Sequence, residues 1–162
     1  MSKNGNEWFL SERAKAMAWM HLTQRDDLLV TRAGADIGLD YLVSLTKQKE
    51  KPSLRQFSVI LRAARKAVNP ERLDKLLRPS MESWQKVGEY PYPVCLFYFT
   101  MEDNQGYYTW VAEPILTDDG KPRLKCHAAA SCKPLDRPAL DRIVSQVSAW
   151  YDAFFSTIVV SA

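Results

Sequence analysis

The run Pro93-Val94-Cys95-Leu96-Phe97-Tyr98-Phe99 is the longest apolar stretch in the chain. It has the length of a strand and is far too short to span a membrane. Its residues do not alternate between apolar and polar, so side chains on both faces of such a strand seek burial. Only a central strand satisfies that demand. The chain must therefore build its sheet around residues 93–100.

The remaining pattern supplies the neighbours. Residues 11–24 read as a helix, with Ser11 as N-cap, Glu12 in its first turn, and Ala16, Trp19 and Met20, with Ala18 as a further candidate, as apolar contacts. Residues 28–32 and 39–46 read as strands, separated by a turn at Ala33-Gly34. The polar stretch 47–53 reads as a hairpin loop. A third strand covers 57–61, with Phe57, Val59 and Leu61 on one face and Ser58, Ile60 and Arg62 on the other.

Asn69-Pro70 opens a helix as N-cap and first residue, with Leu73, Leu76 and Leu77 as its stripe. A second helical piece spans 80–87. After the central strand, a turn at 101–106 leads to a strand at 107–111, and 117–123 form a further turn. Residues 138–155 close the chain as a helix whose apolar face runs from Leu140 to Phe155. That helix either completes the core or packs on a second copy or another protein. The order of elements predicts an α/β fold, a mixed β-sheet flanked by helices, in one domain.

The 162 residues are 46% hydrophobic and 25% charged, enough for a core without staples. The net charge of +3 means that any nucleic-acid binding rests on a local patch. The first residues lack the apolar stretch of a signal peptide. A cytoplasmic location is expected, with Cys95, Cys126 and Cys132 as free thiols and no membrane partner.

Asp36-Ile37-Gly38-Leu39-Asp40 places two carboxylates around a glycine at the entrance to a strand. Such a pair can hold Mg²⁺, which takes oxygen ligands and can activate water against a phosphodiester. It fits equally an Asx-type turn, with the carboxylates accepting from local amides. Arg62, Arg65 and Lys66 form a basic cluster just after the third strand, with Arg55 and Arg72 expected nearby. This is either a phosphate-contact patch or a solvated surface.

Cys126-His127 and Cys132 match no zinc spacing. His21, late in the first helix, fits a histidine at the helix C-terminus. Tyr90 and Tyr92, beside prolines, are the aromatic residues expected to be most exposed.

Three segments together resemble a known family: Ser11-Glu12-Arg13-Ala14-Lys15-Ala16, Asp36 to Asp40, and Phe57-Ser58-Val59-Ile60-Leu61-Arg62. The chain is similar, over about residues 8–115, to a bacterial domain family of the PD-(D/E)XK nuclease superfamily. That family is met in mobile elements and anti-phage defence. The resemblance implies a restriction-endonuclease-like sheet. Glu12 would be the first-helix acid, Asp40 the metal-binding aspartate and Asp36 its companion, with Mg²⁺ as the cofactor if the site is active.

The third strand departs from the family pattern. One alignment puts Ile60 at the second acid and Arg62 at the lysine; a shifted one uses Gln56 and Ser58 and loses the lysine. Isoleucine binds no metal, and arginine stays protonated, which suits it to phosphate contact but not to general-base work. Glu82 or Glu89 is a candidate replacement ligand.

The resulting expectation is a catalytically degenerate nuclease-fold protein of bacterial or phage origin that binds DNA or a protein partner. The alternatives are an active Mg²⁺-dependent endonuclease, with Asp40, Glu12 and Arg62 as catalytic residues, and an inhibitor or immunity module acting through a partner or a homodimer.

Overall fold

The computed structural model describes residues 7–33, 38–46 and 54–161. Asp36, the Gly34 end of the first predicted turn and the predicted hairpin loop 47–53 lie outside the described residues. The elements run α1 (Glu7–Thr23), β1 (Leu28–Arg32), β2 (Tyr41–Leu45), β3 (Gln56–Ala64), α2 (Pro70–Leu76), α3 (Arg78–Val87), β4 (Val94–Thr100), β5 (Gln105–Leu116), β6 (Pro122–Cys126), β7 (Lys133–Pro134) and α4 (Arg137–Ser161).

One mixed sheet carries them in the order β1-β2-β3-β4-β5-β6, with β7 pairing β5 as well. Among the described residues, only the β3–β4 pair is parallel. A parallel pair needs a crossover, and α2 and α3 supply it. As its composition requires, β4 is central: Cys95, Phe97 and Phe99 enter one core, and Val94 and Leu96 the other.

The first core lies between the sheet and helices α1 and α4, and the second beneath α2 and α3. In β3, Phe57, Val59 and Leu61 face α1 and α4 while Ile60 faces α2 and α3, which is the predicted alternation. Asn69 caps α2, its Oδ1 accepting from the Arg72 amide at 2.8 Å. In α2 and its C-cap, Leu73 and Leu77 are buried, but Leu76 points to solvent.

The first helix differs from expectation. It begins at Glu7, so Ser11 is an interior residue and not its N-cap, and Glu12 is not in its first turn. Its buried residues are Ala14, Ala18 and Leu22, while Ala16, Trp19 and Met20 are exposed. The spacing of four residues holds, but the contact is made by small side chains, which let the helix lie close against the sheet. His21 stacks on Phe99, with ring centroids 5.9 Å apart.

The last helix completes the first core through Ala139, Leu140, Ile143, Val144, Val147, Trp150 and Tyr151. Its far end is fastened to the start of β3. Arg55 pairs with Asp152 at 2.6 Å and donates to the Ser148 carbonyl at 2.9 Å, and the Tyr151 hydroxyl donates to the Gln56 carbonyl at 2.8 Å. Arg55 is thus committed to α4 rather than to the basic cluster.

Gly106 lies opposite Phe99 in the β4–β5 pair, and a Cβ placed there would stand 2.9 Å from the Phe99 ring. Phe99 is fully buried and cannot swing away. Gly106→Ala is therefore expected to cost about 1–3 kcal/mol, read as a lower urea midpoint at an unchanged slope.

Burial lowers the His21 imidazole below its ordinary value of 6.5. The unfolded chain then takes up the proton first. The contribution is complete above that value and is lost as the pH falls below it. The urea midpoint should drop from neutral to mildly acidic pH, and less steeply in His21→Leu.

Candidate functional site

Asp40 stands at the head of β2, held by its own backbone. Its amide donates to the Val59 carbonyl at 2.9 Å, and its carbonyl accepts from the Ala33 amide at 3.1 Å. Its carboxylate then reaches across to β3, where Oδ2 accepts from the Leu61 amide at 2.7 Å. This amide is on the neighbouring strand, 21 residues along the chain, and not the local amide of an Asx-type turn; the carboxylate satisfies a main-chain donor in the part-buried cleft.

Around it lies a cleft of about 340 Å³, lined by Leu10, Ser11 and Ala14 of α1 and by Leu61, Arg62 and Ala63 of β3. Leu61 and Ala63 lie two apart on β3, so they share a face. Ile60, which the sequence alignment placed at the second acid, is buried on the opposite face, in the core under α2 and α3. That alignment therefore brings Arg62 to the cleft but not Ile60. The chemical result is the same in every register, because β3 reads QFSVILRAA and contains neither a carboxylate nor a lysine.

Glu12 does not line the Asp40 cleft. It is exposed, pairs with Lys15 at 3.3 Å, and borders a neighbouring depression with Trp19, Met20, Arg32 and Tyr41. Tyr41, which lines that depression, donates to the Lys15 carbonyl at 3.1 Å. Burial raises its phenol pKa, Asp40 and Glu12 push in the same direction, and Arg32 opposes them.

Glu82 pairs with Arg78 on α3, and neither Glu82 nor Glu89 borders the cleft. No group of three or more His, Cys, Asp or Glu side chains able to hold a metal occurs among the described residues. Among the described residues the cleft around Asp40 offers one carboxylate, one of whose oxygens already serves Leu61, which by itself is too few oxygen donors for Mg²⁺; Asp36 lies outside the described residues.

Arg62 borders the cleft from its place on β3, but it is on the face of Ile60 and its side chain turns toward α3. Its guanidinium lies over the Trp84 ring of α3, 5.3 Å from the centroid, and donates to the Leu61 carbonyl at 2.8 Å. Arg65 and Lys66 follow on an exposed turn. Glu102 pins that turn, donating its amide to the Arg65 carbonyl at 2.8 Å and accepting from the Ala67 amide at 3.0 Å. None of these three cations is in an ion pair among the described residues. Arg72 is exposed on α2, beside Lys75.

Other candidates separate. Tyr90 is not free on the surface: its hydroxyl donates to the Trp84 carbonyl at 2.7 Å. His127 is 2.7 Å from Glu113, whereas the amide of Cys132 is bound by Asp74 at 2.8 Å. Burial first, and then the Asp74 carboxylate, push the Cys132 thiol well above its ordinary range, so it is a poor thiolate ligand.

The Glu113–His127 pair is the feature the sequence reading missed. It depends on β6, which pairs Glu113 with Lys125 and so brings His127 back beside β5. The Asp118-Asp119-Gly120 turn was the available signal for that hairpin.

No family model matches the chain, and neither the curated proteins nor the solved structures contain a match.

Asp40→Ala leaves the Leu61 amide without its acceptor and is expected to cost about 1–3 kcal/mol in chemical unfolding. Asp40→Asn keeps an acceptor oxygen and should cost clearly less.

Proposed function

We propose that the chain is a nucleic-acid-binding domain on a nuclease-type core that no longer hydrolyses its ligand. The reading rests on the family resemblance of the sequence and on one observation. The cleft beside Asp40 is floored by Leu61 and Ala63, while Arg62, Arg65 and Lys66 stand outside ion pairs at and beyond its rim. Hydrolysis of a phosphodiester needs either a metal held by several oxygens or a placed general base. Leucine and alanine supply neither. Phosphate contact needs only fixed cations.

Arg62 is the best placed of the three. Stacking on Trp84 holds its guanidinium in the open with donors to spare. Binding of this kind follows the phosphate backbone and carries no sequence preference of its own. The resemblance points to mobile-element or anti-phage defence biology, in a cytoplasmic setting. No described helix is long and apolar enough to cross a membrane.

A second reading, a protein-interaction module, is favoured by a different surface. Trp8, Phe9, Trp19 and Met20 of α1 and Leu29 of β1 are large apolar residues left exposed.

Binding of short duplex DNA, followed by fluorescence anisotropy, separates these readings. The wild-type chain should bind with a steep salt dependence, and Arg62→Glu/Lys66→Glu should weaken binding by about tenfold or more at low salt. Plasmid incubated with Mg²⁺ or Mn²⁺ should stay intact. Cleavage that disappears in Asp40→Asn would overturn the proposal in favour of an active endonuclease. An absence of DNA binding, together with a stable dimer or a co-purifying protein, would favour the interaction module.

A further inference from the structure

One edge of β5 is shared by two short strands. β7 pairs with Tyr107 and Tyr108, and β6 pairs with residues 112–116. Between them the connecting segment 127–132 leaves the ladder. Its main chain meets β5 at the His127 amide, which donates to the Val111 carbonyl at 3.1 Å, and at the Ser131 amide, which donates to the Thr109 hydroxyl at 3.0 Å. The gap becomes a cavity of about 340 Å³, closed by Arg142, Ile143 and Gln146 of α4. That volume lies at the lower end of the range for small-molecule sites, about 300–1,000 Å³.

The cavity wall is built with some care. Tyr108, Trp110 and Ile143 form an apolar part, and all three are buried. Glu113 is held at both oxygens: Oε1 faces His127 Nε2 at 2.7 Å, and Oε2 accepts from Gln146 Nε2 at 2.9 Å. Gln146 is fixed in turn by a second bond to the Pro114 carbonyl at 2.9 Å.

A carboxylate satisfied in this way serves to orient the imidazole. With Nε2–H directed at Glu113, the other ring nitrogen is left to meet a ligand. Glu113 contributes one negative charge, whereas Lys133 and Arg142 contribute two positive charges outside any ion pair among the described residues. The balance favours an anion.

We infer that this cavity binds a small organic anion. Its carboxylate or phosphate group would be held by Arg142 and Lys133 beside the His127 ring, with its apolar body against Tyr108, Trp110 and Ile143. The guanidinium and ammonium supply charge-assisted donors. The site lies at β5, on the far side of β4 from the Asp40 cleft, and shares no lining residue with it.

Benzoate and phenyl phosphate are suitable probes, with benzyl alcohol as the uncharged control. The chain has two histidines, so imidazole signals in nitrogen-correlated NMR report on His127, with His21 as an internal reference. Titration should shift the His127 signals saturably and leave those of His21 in place, and the tighter of the two anions identifies the headgroup. Arg142→Ala and Lys133→Ala, both at exposed positions, should each weaken binding by about tenfold in calorimetry, while Asp40→Asn leaves it unchanged. The inference is overturned if neither anion saturates at millimolar concentration, if benzyl alcohol binds as well as benzoate, or if both charge-removing variants bind like the wild type.

Discussion

The burial of β4 on both faces is the constraint from which the rest of the architecture follows. Val94, Cys95, Leu96, Phe97 and Phe99 are all fully buried, and their side chains divide between two cores. A sheet centred on such a strand needs a helical layer above and another below. Here α1 and α4 provide one layer and α2 and α3 the other. Because α2 and α3 also form the β3–β4 crossover, covering the second face and making the parallel pair are one event. The Asp40 cleft exists because β3 outruns its antiparallel neighbour β2: the end of β3 at Leu61, Arg62 and Ala63 is flanked on one side by Asp40 and on the other by the parallel strand β4.

The two regions singled out use carboxylates in opposite ways. Asp40 turns its charge inward on a main-chain amide, which fixes the β2–β3 junction and leaves little for a ligand. Glu113 turns its charge on a side chain, and so fixes something that can itself meet a ligand. In both cases the carboxylate is an orienting group. What differs is whether the group it orients faces the interior or a cavity.

The parts of this fold that could be read from the sequence were those where one local signal decided the outcome. Asn69-Pro70 specified a helix start, the alternation from Phe57 to Arg62 specified a two-sided strand, and the apolar run at 93–99 specified a central one. Where the outcome depended on a distant partner, the reading was less successful. The buried stripe of α1 is two alanines and a leucine, which carry a weak apolar signal beside Trp19 and Met20; the close approach to the sheet chose the small residues. β6 reads Pro-Arg-Leu-Lys-Cys, and its mixed charge hid it; β7 is two residues long and exists only as pairing to β5. The acceptor role of Asp40 toward Leu61 was not legible, since that bond depends on the β2–β3 register. The same register shows that Leu61 and Ala63, not Ile60, border the cleft.

The contact between Phe99 and Gly106 has a consequence for how this sequence can change over time. Two strands approach there so closely that a whole aromatic ring occupies the space a neighbouring side chain would need. Neither position is free to drift alone. A larger residue at 106 is admissible only after a smaller one at 99, and a smaller one at 99 opens a void beside His21 and Phe97. In diverged copies of this chain the two positions should therefore vary as a linked pair, and in most should not vary at all.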